Sequence, residues 1–261
     1  MSFGTIIAET VLGATHETFV IFLVTICYLN WSKPIFAKAL YLLLFSMVFN
    51  TFLKSIWQIP LDPALNIEGW AFPSGHMQNS TAFWGWIAYE LKNKKANIAI
   101  CSLLGAIGVS LIYMGWHNPH DIAAGTLFGI FSIILYRLFL SKIEAKDQPL
   151  TGFMLVGCSL LLISLTRGSF LHLWLAFGAL IGFTFGWLTN QKYIKLKAGE
   201  YRLHKTIMAF FGIGVIYFTA HHYKHALPST YLTLITFFAI AFWVSFMAEA
   251  IVQKAMELKK I

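Results

Sequence analysis

Long apolar stretches broken by short polar or proline-containing segments run the length of the chain: Ala8–Leu29, Ile35–Ile59, Ser74–Leu91, Ile98–Trp116, Pro119–Leu140, Leu150–Thr166, Phe170–Leu188, Thr206–His222 and Tyr231–Val252. Each approaches the roughly 20 residues that a helix needs to cross the hydrocarbon core of a bilayer. The pattern predicts an all-α integral membrane protein, a helical bundle of about nine transmembrane spans in which every backbone polar group is satisfied within its own helix. In 261 residues such spans leave only short loops, so one membrane domain over 1–261 is expected, without a separate soluble domain. Composition agrees: 58% of residues are hydrophobic, 11% are charged, and the mean hydropathy is +0.69, too apolar for a water-soluble domain of this size.

The charges then orient the bundle. Of 19 lysines and arginines, all but Lys54, Arg167 and Lys224 fall at one membrane face, which the positive-inside rule assigns to the cytoplasm. The N-terminus is then outside and the C-terminus cytoplasmic, as in a multi-pass plasma-membrane protein, with a bacterial inner membrane the favoured setting. The formal charge of +8 does not mark a nucleic-acid binder, because the cations sit in separate short loops without interleaved aromatic motifs. Contact with anionic membrane lipids is expected instead. The first basic residue is Lys33, so a cleavable signal peptide is not expected and the first span should remain.

Other features carry weaker signals. Cys27, Cys101 and Cys158 lie in apolar runs and show neither a disulfide framework nor a zinc spacing. Gly178, Gly182 and Gly186 form a small-residue stripe, read as close packing of two helices within the chain, with a homodimer interface as the alternative. Glu90 and Glu249, near cytoplasmic span ends, are expected to snorkel towards water. Glu9, His16 and Glu17 in the first span would support a transporter if buried; an interfacial position is the other reading.

The charge-poor outer face collects three separated pieces: Lys54, the segment Phe72-Pro73-Ser74-Gly75-His76, and the segment Trp116-His117-Asn118-Pro119-His120-Asp121. Ser74 can cap the helix that follows Pro73, and Gly75 lets an anion approach the free N–H groups of its first turn. His76 stands beside any anion held there, where it could protonate a leaving oxygen. Lys54 adds a point charge for phosphate. A tight turn between the fourth and fifth spans can return Asp121 to His117, fixing one imidazole tautomer and freeing the other ring nitrogen to attack. No carboxylate cluster of metal-ligand type is visible, so neither a metal nor a cofactor is expected.

In these residues the sequence resembles the type 2 phosphatidic acid phosphatase family. That family's pattern is a Lys followed seven residues on by Arg-Pro, then Pro-Ser-Gly-His, then Ser-Arg, five residues, His, three residues and Asp. Lys54 fits the first motif, Pro73-Ser74-Gly75-His76 matches the second, and Ser110, His117 and Asp121 fit the third at the family's spacing. The resemblance implies a phosphatase-like core over 35–140, with additional C-terminal helices over 150–253. It implies that His117 attacks phosphorus to form a phosphohistidine, that Asp121 orients it, and that His76 protonates the leaving group. Lys54, Ser74, Gly75 and Ser110 would bind the substrate phosphate, a monoester or diphosphate carried by a lipid.

The family's arginines are replaced by Leu61 and Leu111, and the Pro of the first motif by Asp62. Two bidentate phosphate clamps are therefore missing, each worth typically about 1.5 to 3 kcal/mol. The expected activity is hydrolysis at the outer membrane face. The alternatives are a lipid phosphotransferase using the same histidine, or a catalytically inactive lipid-binding or transport protein. His120, Arg167, or Lys224 with His221, His222 and His225 could compensate. Gln78, Asn79, Ser80 and Thr81 could line the pocket or bond helix to helix.

Overall fold

The computed structural model describes residues 2–65, 69–143, 148–168, 170–196 and 199–259. In chain order the helices are α1 (Phe3–Gly13), α2 (Glu17–Asn30), α3 (Lys33–Trp57), α4 (Gly75–Leu91), α5 (Lys94–Tyr113), α6 (Pro119–Leu140), α7 (Gln148–Leu165), α8 (Leu171–Tyr193), α9 (Arg202–His222), α10 (Ser229–Phe242) and α11 (Ala248–Leu258). A π-helical turn, Trp243–Met247, joins α10 to α11. Among the described residues β-pairing is limited to one isolated bridge between Pro60 and Trp70.

Every predicted apolar stretch folds as helix, giving an all-helical membrane protein. Among the described residues six helices are long and apolar enough to cross a membrane: α3, α5, α6, α8, α9 and the continuous run Ser229–Leu258. The first predicted span is instead a pair, α1 and α2, bent by 47°, which makes a seventh if counted together. Glu9, His16 and Glu17 are all exposed on or beside that bend. They are not the buried acid and histidine that a proton path through the first span would need. Helix α4, with 17 residues, and the apolar part of α7, Leu150–Leu165, are shorter.

The chain divides into two compact units. The first comprises residues 1–23, 38–142 and 162–168. Its centre is the packing of α4 on α6, which small residues permit. A Cβ on Gly125 would stand 2.6 Å from the Ser74 carbonyl oxygen, and one on Gly129 would stand 2.6 Å from Thr81 Cβ. Leu12 of α1, Met77 of α4, and Ile107 and Leu111 of α5 form a buried apolar cluster beside them. At the far end of α3 and α4, Lys38 Nζ donates to Glu90 Oε1 at 3.0 Å, both side chains partly exposed.

The second unit comprises residues 24–37, 143–161 and 169–261. The stripe Gly178, Gly182 and Gly186 lies against the backbone of Leu234 and Phe238 and against Ser245, so the small residues serve a helix–helix contact inside the chain. Glu249 is fully buried, not snorkelling. Its carboxylate pairs with Lys33 and, at 3.3 Å, with Lys205, and it also accepts from Asn190 Nδ2 at 2.7 Å. Lys205, also fully buried, donates in addition to the Leu29 carbonyl at 2.9 Å. Cations from α3 and α9 reach the acid before water does. This follows the rule that a charge taken out of water must be paired and hydrogen-bonded.

Candidate active site

Two local folding signals create the turn that carries His117. Helix α5 ends where Gly115 takes φ +71°, and the amides of Gly115 and Trp116 return to the carbonyls of Ile112 and Leu111, a Schellman stop. Helix α6 begins two residues later, with Asn118 at its N-cap and Pro119 in its first turn. Asp121 Oδ2 reaches back to accept the Asn118 N–H at 3.0 Å. That bond fixes the carboxylate against the turn. His117 and Asp121 are both buried, with Nδ1 3.6 Å from Oδ2. Hydrogen bonds of this kind are often long before substrate arrives and tighten in the complex.

The segment Trp70–Gly75 is held from both sides. From α3, Lys54 Nζ donates to the Trp70 carbonyl and, one turn earlier, Asn50 Nδ2 donates to the Pro73 carbonyl at 3.3 Å. From α6, the Asp121 carbonyl accepts the Ser74 N–H at 3.1 Å. Ser74 caps α4 as its sequence suggests, its Oγ accepting the Met77 N–H at 3.4 Å. A Cβ at position 75 would stand 2.8 Å from Asn50 Oδ1, so the glycine is required by the close approach of α3. The same asparagine receives no attention from motif reading. Its signal is its position one helical turn before Lys54 on the same face.

The structure therefore brings Ser74, Gly75, His117 and Asp121 together at the facing starts of α4 and α6, with Lys54 close enough to act electrostatically on His117. His76 is exposed in the first turn of α4, its ring centroid 5.9 Å from that of Trp116. Ser110 is buried on α5, and among the described residues its hydroxyl bonds to none of the other candidates. Leu111 lies wholly inside the apolar cluster, while Leu61 is half-buried in the loop after α3. Two residues of the polar start of α4 make helix–helix bonds: Gln78 Oε1 accepts from Asn50 Nδ2 at 2.9 Å, and Ser46 Oγ pairs with Asn79 Oδ1 at 2.9 Å. Among the described residues no group of three or more His, Cys, Asp or Glu is placed to hold a metal ion.

Electrostatics distinguish this cluster. Burial, and then the nearby Lys54 ammonium, push the His117 imidazole down to about 4, against the opposite pull of Asp121. The ring is thus neutral over the physiological range. With Asp121 facing Nδ1, the lone pair at Nε2 is the one available to an electrophile. The arrangement combines a neutral imidazole, a carboxylate that can stabilise it when it gains charge, and a helix start beside a lysine suited to an oxyanion.

Comparison with known proteins bears on the same segment. Phosphatidylglycerophosphatase B of Bacillus subtilis (strain 168) is 30% identical over 95 residues, covering 33% of this chain and 47% of that protein. The chain thus spans about half the length of this curated relative. No solved structure matches the chain significantly. The PAP2 superfamily model matches residues 35–145, which contain α3 to α6 and every candidate residue above. Through this helical segment the chain is similar to the type 2 phosphatidic acid phosphatase family.

Proposed function

We propose that the protein is a membrane phosphatase that removes phosphate from a lipid phosphate monoester or diphosphate through a phosphohistidine on His117. The observation that carries this reading is the buried, neutral His117 imidazole facing the Asp121 carboxylate at 3.6 Å beside Lys54. In the first step His117 Nε2 attacks phosphorus, the phosphorus–oxygen bond to the lipid breaks, and His76 donates a proton to the departing oxygen. In the second, water attacks the phosphohistidine, His76 accepts its proton, and His117 is restored. Asp121 holds the Nδ1–H throughout. Lys54, Ser74 and the Gly75 amide bind phosphate oxygens, with Ser110 lending its hydroxyl from α5.

An amphiphile with its tail in the bilayer and its headgroup at the ends of α3, α4, α5 and α6 suits this placement. The charge asymmetry of the loops puts that face outside, in the plasma membrane, with a cytoplasmic C-terminus. In a cysteine-free background, a single cysteine replacing Ser229 should label from outside intact cells and one replacing Asn93 should not.

One observation favours a second reading, a lipid-binding protein without turnover. Leu111 is sealed in the apolar cluster, so that position cannot contribute a phosphate clamp without repacking. Phosphate release from phosphatidate, phosphatidylglycerol phosphate and a polyprenyl diphosphate separates the two. Hydrolysis is expected for at least one, abolished in His117→Ala, with an acid-labile, base-stable phosphoenzyme that the same variant lacks. Wild-type turnover by folded His117→Ala would refute the histidine mechanism.

A further inference from the structure

The Asp121 carboxylate faces two imidazoles. His117 Nδ1 lies on the Oδ2 side, and His120 Nε2 lies 3.2 Å from Oδ1, off the axis that a hydrogen bond requires. The two rings differ in their surroundings. His117 is buried, whereas the His120 side chain is 66% exposed. The His120 ring lies 6.4 Å from Phe72, centroid to centroid and inclined by 30°, and Phe72 in turn meets Trp57 edge-on at 4.9 Å. His120 therefore stands between the first turn of α6 and the segment leading into Ser74, with a face open to solvent.

The charge balance of the site leaves a role for it. Lys54 is the cation acting on His117, and part of its hydrogen-bonding capacity is already committed to the Trp70 carbonyl. Position 111 is closed off by apolar packing, and position 61 carries no charge. The titratable groups around His120 are Asp121 on its own helix, His117 on the preceding turn, Lys54 from α3 and His76 from α4. A dianionic phosphate seated between Lys54 and the start of α4 needs a second mobile cation, and among these groups His120 can turn towards it without breaking a hydrogen bond.

We infer that His120 is a substrate-contacting residue, an imidazolium that leaves Asp121 to bind the phosphate of the incoming lipid and supplies the charge that leucine at 61 and 111 does not. This rests on the phosphatase reading above. It identifies the preferred substrate as one presenting a terminal, doubly ionisable phosphate, in preference to a phosphodiester.

The test uses the purified full-length protein with dioctanoyl phosphatidate, and orthovanadate as a phosphate probe. His120→Gln, which keeps a donor but no charge, should lower kcat/KM at pH 6 by about tenfold or more and weaken vanadate binding similarly. His120→Arg, which keeps a cationic donor at this position, should hold kcat/KM and vanadate binding near wild type where His120→Gln loses both. A His120→Gln variant with the wild-type kcat/KM and pH profile, in a wild type that hydrolyses substrate, would overturn the role of His120 alone. A wild type that neither hydrolyses phosphatidate nor binds vanadate would overturn the phosphatase reading and this inference together. His120 is exposed, so its variants are expected to fold, and matching melting curves verify this.

Discussion

Each unit buries ionised or ionisable groups around one acid, and the two clusters are finished differently. Around Glu249, Lys33, Lys205 and Asn190 all reach the carboxylate, and Asn190 also bonds the Ser245 carbonyl at 2.8 Å. Around Asp121, Oδ1 and the facing Nδ1 of His117 are buried without a hydrogen-bond partner among the described residues. Leaving such atoms unmet costs roughly 1 to 3 kcal/mol each. A completed network locks helices together and has nothing left to offer a ligand. An incomplete one stores unused donor and acceptor capacity, which is what a site for a charged, transient guest requires. Under the proposed function, the contrast separates a structural knot from a chemical site within one chain.

The most damaging test of that contrast pairs the two acids. Glu249→Ala leaves the buried Lys205 ammonium and the partly buried Lys33 ammonium without their acid and should destabilise the protein by about 3 to 5 kcal/mol, read as a large drop in melting temperature. Asp121→Asn should leave the melt almost unchanged while lowering phosphate release by about a hundredfold or more. If Asp121→Asn unfolds the protein and Glu249→Ala does not, the assignment of roles is reversed. Next in size is Gly125→Val, whose side chain would push α6 away from the Ser74 carbonyl and separate Asp121 from the α4 start. Misplacement on the order of 1 Å should cost about a hundredfold in kcat/KM with secondary structure retained by circular dichroism.

Protonation gives a third test. The folded His117 value of about 4 lies below the ordinary histidine value of about 6.5, so the unfolded chain binds that proton more readily. His117's contribution to stability should be complete above about pH 6.5 and be lost as pH falls through about 4. The acid limb of kcat/KM should fall at about 4 for the same reason, and an acid limb centred at 6 to 7 would contradict the buried, neutral ring. The smallest effect is expected at the first arginine position. Leu61→Arg, in a half-buried loop, should fold and raise turnover severalfold, whereas Leu111→Arg should prevent folding, as expression and gel filtration would show.

Much of this was legible without coordinates, for reasons that differ by element. Spans such as α3, α5 and α8 announce themselves because lipid imposes one solvent and one length on the sequence. The turn between α5 and α6 was equally readable, since Gly115 and Asn118-Pro119 are local signals that act within a few residues. What escaped the sequence is what depends on partners far along the chain. The bend after Gly13 looked like the interior of one span because its residues are apolar enough on average. Glu249 looked solvated because the two lysines that meet it lie 216 and 44 positions away. Asn50, Gly125 and Gly129 carry no motif; their roles appear only when α3 and α6 close on the Pro73-Ser74-Gly75 segment.

The Schellman stop at Gly115 has a consequence for how such a chain can change over time. Only Trp116 and His117 separate it from the cap of α6, so a single inserted or deleted codon there would swing the imidazole off the carboxylate. One inserted within α5 would rotate everything beyond it by about 100°. The stretch from Gln58 to Gly69, by contrast, carries none of the residues assigned a role in the proposed chemistry, so its length can drift with little penalty. Among variants of this protein, insertions and deletions should collect in that loop, while the spacing from Ser110 to Asp121 stays constant to the residue.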